Sequence, residues 1–268
     1  GFGIDEIAAA LLAKKDAVNK RLYRAKKTLR QHEVDMSVPV GEDLSARLGT
    51  VLRTLYLVFN EGYYASNPRE MLRRDFCLEA MRLTLLLAHN EHTQTSSVDA
   101  LLALMCFHAS RFEARRTEYA ESVLYADQDR ALWEEALIQR GEYYLNRAAA
   151  GQVITPYHVE AAIAYWHTQP ESQDKWDSIL LLYNQRLQMA YSPMAALNRT
   201  YALSRSVGRE AALEEARQLD LDTHHLYHCL LAELHDDPRQ ARAHLETALT
   251  LCTSDHERTL IEQKLAAL

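Results

Sequence analysis

The sequence predicts an all-α chain, and three observations carry that prediction. Turn-forming residues are scarce: the 268 residues include only 8 Gly and 6 Pro, about 5% where roughly 12% is usual. Sandwiches, barrels and hairpins need such residues at every reversal, so an all-β fold is excluded. Apolar residues recur at helical spacing, as in Leu44, Leu48, Val51, Leu52, Leu55 and Phe59, or Trp176, Ile179, Leu180, Tyr183 and Leu187. No segment alternates with period two between turn residues. With 48% hydrophobic and 25% charged residues, the chain can bury a sizeable core, which excludes global disorder.

The helices follow one another between a few breakers. Pro39 and Gly41 mark a linker. Asn67-Pro68, Gly151 to Pro156, Gln169-Pro170, Ser192-Pro193, Gly208 and Asp237-Pro238 mark helix junctions. These divide the chain into a head (1–35), a linker (36–43), a helical domain (44–150) and a C-terminal array of helix pairs (151–268). In that array, helices are expected to begin near Pro156, Pro193 and Thr223. The spacing resembles the tetratricopeptide period, with small residues such as Ala241 and Ala248 seven apart. A non-repeating bundle remains the alternative.

The longest unbroken apolar run, Ala100 to Phe107, has eight residues. A membrane span needs about 18 or more, so none is expected. No secretory leader opens the chain, and the expected compartment is the cytoplasm. The chain begins without Met and inside a motif, so it reads as part of something longer. Cys77, Cys106, Cys229 and Cys252 sit in apolar runs with no zinc-knuckle or redox spacing, and are expected as buried reduced thiols.

Charge is partitioned. Residues 1–31 hold eight basic side chains against three acidic ones, whereas the remaining residues hold 22 against 34. A basic head on an acidic body points to a polyanion partner for the head alone. Asp5 to Leu12 reads as a short amphipathic helix and Lys14-Lys15-Asp16 as a polar break. Ala17 to Arg30 reads as a second helix with Val18, Leu22, Ala25 and Leu29 on its inner face. Two helices joined by a tight turn, the second loaded with cations, form a helix-turn-helix. Lys15, Asp16, Asn19 and Lys20 are the candidates for base edges, and Lys14, Arg21, Arg24 and Lys27 for phosphates.

The order Glu6-Ile7-Ala8, Leu11, Val18-x-x-Arg21-Leu22-x-Arg24-Ala25 and Leu29-Arg30 resembles region 4 of bacterial extracytoplasmic-function sigma factors. Further strings resemble the long C-terminal extension of one subgroup of that family. They are Leu55 to Tyr63, Arg74-Asp75 with Glu79-Ala80-x-Arg82-Leu83, Leu101 to Met105, Asp127-Gln128-Asp129-Arg130-x-x-Trp133, Pro156-Tyr157 with Ala161 to Ala164, and Ser192-Pro193-x-x-Ala196-Leu197-Asn198-Arg199. The resemblance implies a partial region 4 that reads the minus-35 promoter element, followed by a helical extension with tetratricopeptide-like repeats that regulates the sigma factor. The implied partners are promoter DNA, core RNA polymerase, and a protein regulator or sigma region 2. The chain departs from the family at Gly3 and Ala17, where Ser or Thr and Thr are usual. It departs again in Ala109 to Arg115 and in Tyr165-Trp166-His167. The alternative is a tetratricopeptide-like adaptor with a vestigial head.

Physically, Gly62 is expected to cap the helix that ends in Asn60-Glu61-Gly62-Tyr63. Asp127 or Asp129 is expected to cap the next helix, with Arg130 pairing Glu61 or Glu79. Asn60, Glu61, Tyr63, Glu79, Asp127, Asp129, Arg130, Asn198 and Arg199 form either a polar packing network or a site for a partner or ligand. No glycine-rich phosphate loop or nucleophile elbow occurs, so binding rather than catalysis is expected. His224, His225 and His228 cluster, but no Glu stands between them in the metalloprotease arrangement. No metal or cofactor is expected.

Overall fold

The computed structural model describes residues 4, 7–8, 14–32, 41–64, 73–115, 123, 125, 128–253 and 255–268. Every regular element among them is helical. In chain order these are α1 (Lys15–Gln31), α2 (Glu42–Tyr64), α3 (Arg74–His89), α4 (Ser96–Ala109), a 3-10 turn (Arg130–Leu132), α5 (Glu135–Ala149), α6 (Pro156–Thr168), α7 (Gln173–Met189), α8 (Pro193–Ser206), α9 (Arg209–Ala216), α10 (His225–Leu234), α11 (Pro238–Leu251) and α12 (Asp255–Ala266). The chain divides into two compact units, residues 1–80 and 81–268. That division differs from the sequence reading: it falls inside α3 and splits the stretch 44–150.

In the first unit, α2 presents Leu52, Leu55, Phe59 and Tyr63 as a buried stripe. The spacing is the three- and four-residue alternation of an amphipathic helix. Phe59 and Tyr63 stack at 5.8 Å. The Cys77 thiol on α3 donates to the Phe59 carbonyl at 3.5 Å, and the Arg73 N–H donates to the Gly62 carbonyl at 2.8 Å. Gly62 therefore does not end α2, which runs on to Tyr64. A Cβ there would stand 2.8 Å from both the Arg73 carbonyl and the Cys77 sulfur, so glycine is needed for close approach rather than for a cap. Asn67-Pro68 and most of the predicted linker lie outside the described residues.

The second unit is organised by α4. Eleven of its fourteen residues are buried, from Val98 through Phe107 and at Ala109. A helix apolar on every side has no solvent face and must be enclosed. Helices α5 and α6 enclose it. Each fully buried Leu, Met or Phe contributes about 1.5–3 kcal/mol. Gly141 on α5 sits against the Phe107 ring, 2.6 Å from where a Cβ would lie. Asp99, on the first turn of α4, meets Arg147 of α5 at 3.3 Å. Burial pushes its carboxyl above the ordinary value, while Arg147 and His89 pull it down. The Thr84 hydroxyl of α3 donates to the Met105 sulfur at 3.5 Å.

Helix α6 packs most on α4, and from α7 onward each helix packs chiefly on its neighbours in sequence. Proline opens α6, α8 and α11 at the first helical position, where its missing N–H costs nothing. Ser192 and Asp237 cap α8 and α11 by accepting from the backbone N–H groups of Ala195 and Arg239. The starts predicted at Pro156 and Pro193 are thus observed. The third comes at His225 rather than Thr223, because His224 is the capping residue and its Nδ1 accepts from Leu226 N–H at 3.2 Å. The four cysteines are unbridged. Burial pushes Cys106 up to about 12 and Cys229 up to about 11.

Two glycines in helices should respond oppositely to alanine. Gly141→Ala forces a methyl into the Phe107 ring. An overpacking cost of about 1–3 kcal/mol outweighs the helix-propensity gain of about 1 kcal/mol. Gly49, exposed on α2 with open space at its Cβ position, should give up that propensity gain freely. Urea titration is expected to show Gly141→Ala destabilised and Gly49→Ala stabilised. Equal and favourable shifts at both positions would contradict the α4–α5 packing.

Candidate functional site

The basic helix is the first candidate. Lys14 is the N-cap of α1, and its carbonyl accepts from the N–H groups of Ala17 and Val18. Helix α1 therefore begins at Lys15, so Lys15 and Asp16 of the predicted break are helical. Asp16 in the first turn suits the positive end of the helix dipole. Lys14, Lys15, Asp16, Asn19, Lys20, Arg21, Arg24 and Lys27 are all exposed. The predicted inner face is only partly buried: Val18 is 2% exposed, Leu22 is half-buried, and Ala25 and Leu29 are exposed. Ile4, Ile7 and Ala8 are helical, and Ala8 is buried; the rest of the predicted first helix lies outside the described residues.

The second candidate is the polar set. Within the first unit, Asn60 and Glu61 are half-buried, Tyr63 is buried and Glu79 is exposed. In the second unit, Asp129 caps the 3-10 turn, accepting from Ala131 N–H at 2.9 Å. Asp127 lies outside the described residues. Arg130 donates to the Thr168 carbonyl and lies 4.9 Å over the Trp133 ring. Farther along, Arg199 donates to Asn184 Oδ1 at 2.6 Å and pairs with Glu215, whose other oxygen accepts from the Thr200 hydroxyl at 2.7 Å. Asn198, one residue away, is exposed. The set is thus dispersed: Arg130 and Arg199 each tie their own pair of helical segments.

What Arg130 belongs to is a cap on the C-terminus of α6. The last carbonyls of a helix have no partner within it. Here Tyr125 OH donates to the His167 carbonyl at 2.5 Å, Arg130 to that of Thr168, and Lys175 Nζ to that of Gln169 at 3.0 Å. Two of the three donors are cations, which the negative end of the helix dipole favours. Lys175 is fully buried, and also donates to Glu171 Oε1 at 2.7 Å and to the Tyr125 oxygen at 3.3 Å. Glu171 Oε2 accepts from Trp176 Nε1 at 2.8 Å. Burial raises the Glu171 carboxyl, but the hydrogen bonds from Lys175 and Trp176 and the charges of Lys175 and Arg205 outweigh it and hold it below the ordinary value. Arg111 sits 5.4 Å from the Tyr125 ring and donates to His108 Nδ1 at 3.2 Å. Burial drives His167 down to about 3 and His108 well below its ordinary value, with Arg111 adding to both. Both imidazoles are neutral among these cations.

Residues 47–149 match a family described as being of unknown function (DUF6596). Over 272 residues the chain is 34% identical to an uncharacterized protein of Rhizobium meliloti (strain 1021), covering 99% of this chain and 64% of the relative. The chain thus spans less than two thirds of that relative's length. No solved structure matches. Among the described residues no helix is long and apolar enough to cross a membrane. The family match contains Asn60, Glu61, Tyr63, Glu79, Asp129 and Arg130, and ends before the α6 carbonyls that Arg130 binds.

Sequence reasoning missed Arg111 and missed Tyr125 and His167, which meet across 42 positions of the chain. One signal was present: Glu171 and Lys175 are four apart, the spacing of a paired helix turn. The histidines set the acid behaviour. A His whose folded value is depressed from 6.5 to about 3 costs nothing while both states are neutral. Its penalty begins as pH falls through about 6.5, the unfolded value, and grows until the folded value is reached. Melting temperature should therefore fall between pH 7.5 and pH 4. His167→Gln should flatten that fall, whatever it does to stability at pH 7.5. A pH slope unchanged by the substitution would contradict the buried neutral imidazole.

Proposed function

We propose that this chain is the C-terminal part of a sigma factor of the extracytoplasmic-function type. On this reading α1 contacts promoter DNA and the helical extension regulates initiation through protein contacts. The observation that carries the proposal is the set of eight cationic side chains from Lys14 to Arg30, all exposed on one helix whose buried residue is Val18. Phosphate neutralisation needs such a row, and base readout needs Asn, Lys or Arg on the same face. Lys15, Asp16, Asn19 and Lys20 occupy the start of the helix, the part that meets base edges in helix-turn-helix docking. Lys14, Arg21, Arg24 and Lys27 would hold phosphates. The function is binding rather than catalysis, in the cytoplasm, with core RNA polymerase as the second partner.

The nearest-neighbour packing of α7 to α12 favours the other reading, a tetratricopeptide-like adaptor. Stacked helix pairs present an extended face to a peptide, and in that case the head is vestigial.

The deciding experiment is transcription by core RNA polymerase from the promoter upstream of the protein's own gene. It compares the full-length protein with a version ended at about residue 43. Initiation by the complete protein supports the sigma reading, and the shortened version then tells whether the extension activates or inhibits. Initiation by neither supports the adaptor. Within α1, Asn19→Ala is expected to relax sequence preference. Lys27→Ala is expected to weaken all DNA alike and reduce the salt slope by about 1. Equal losses on specific and random duplexes for both would sink the assigned roles.

A further inference from the structure

We propose that the last three helices carry a divalent-metal site, suited to Zn2+, whose ligands are His225, Cys252 and Glu257. The three come from separate elements. His225 is the first residue of α10, Cys252 immediately follows α11, and Glu257 lies in the first turn of α12. One ligand atom from each lies within 4.8 Å of the other two. Cys252 is 3% exposed and the His225 side chain 14%, while the Glu257 side chain, 39% exposed, forms the side open to water. Its donors converge although they are far apart in sequence.

The imidazole carries the argument further. His225 Nε2 is buried and makes no hydrogen bond, although Glu257 Oε2 stands 3.2 Å away. Buried polar atoms ordinarily have partners. Two ligands of one tetrahedral zinc, at Zn–N and Zn–O of about 2.0–2.1 Å, are separated by about 3.3 Å. The observed spacing serves an imidazole–carboxylate ion pair and equally two ligands of one ion. Zn–S is about 2.3 Å, so a rotation of the thiol or carboxylate brings Cys252 into the same sphere. The Arg258 guanidinium donates to the Cys252 carbonyl at 2.9 Å and ties that residue to α12.

The donor set selects the metal. One thiolate, one imidazole and one carboxylate suit zinc, whereas Mg2+ and Ca2+ require oxygen ligands in larger number. Three protein ligands leave a fourth position to water. Binding forms the S–Zn bond as the Cys252 thiol gives up its proton to solvent, so affinity rises with pH. The bound ion would join the start of α10, the end of α11 and the start of α12.

His228, His235 and His244 make a separate group. His228 Nε2–H donates to the Asp222 carbonyl at 2.8 Å, which makes its Nδ1 the acceptor from His244 Nδ1–H at 3.3 Å. The His235 ring stacks on His244 at 5.3 Å. These imidazoles supply the control.

The test uses the 268-residue chain, stripped with a chelator and titrated with ZnCl2 and CoCl2. One equivalent of zinc is expected. The cobalt form is expected to show a thiolate-to-metal charge-transfer band, which reports Cys252 as a ligand without any substitution. Cys252→Ser should abolish the band and weaken zinc binding by roughly tenfold or more, at least the loss seen for outer partners of metal ligands. His225→Ala should weaken it comparably, with circular dichroism confirming that both variants are folded. His244→Ala should change neither. Failure to bind zinc, a cobalt spectrum without the thiolate band, or unchanged affinity in Cys252→Ser would overturn the proposal. Loss of binding in His244→Ala would overturn it too, by moving the metal to the other imidazoles.

Discussion

The enclosure of α4 is the constraint on which the second unit depends. A helix with Leu101, Leu102, Leu104, Met105 and Phe107 all buried cannot lie at a surface, so α5 and α6 are fixed by the need to cover it. Gly141 sets how closely α5 approaches. The charge that α4 carries inward, Asp99, is answered by Arg147. Removing the arginine would leave a buried carboxylate without a counter-charge, the costly half of such a pair. Once α6 is placed, its C-terminal carbonyls are placed too, and Tyr125, Arg130 and Lys175 converge on them. The polar cluster is thus a downstream result of an apolar one.

The same ordering explains what could be read from the sequence. Punctuation was legible because it is local: Pro156, Pro193 and Pro238 each open a helix, and Ser192 and Asp237 each cap one. The exposed cationic face of α1 was legible too, since it follows from composition and period alone. The roles of Gly62 and Gly141 were not, because a glycine chosen for close approach looks the same as one chosen for a turn. Arg130 was expected to meet a carboxylate, yet it binds a carbonyl 38 positions away. Nothing local marks that partner. The His225, Cys252 and Glu257 grouping fails to be legible for a related reason. A metal motif is read from short spacings, and here the ligands are brought together by three helix ends.

Charge and burial divide the labour between the two compact units. The first holds the exposed cations of α1, and the second holds cations that are mostly engaged: Lys175 with Glu171, Arg186 with Glu160, Arg199 with Glu215. An engaged cation at a helix end or in an ion pair is unavailable to an outside polyanion. A net charge of −7 therefore says little about either unit alone. The local field of the basic helix is set by its own exposed cations, and salt screens it over about 8–10 Å.

The sequential packing of α7 to α12 has a consequence for cooperativity. When each helix is held mainly by its neighbours in the chain, stability is a sum of nearest-neighbour couplings rather than the property of one shared core. Opening then passes from helix to neighbouring helix as a boundary. Amide exchange along α7 to α12 would be graded, with protection rising toward the helices that touch α4. Helices α10 to α12 are then elements whose order can be set locally, at little cost to α4 and the helices that cover it.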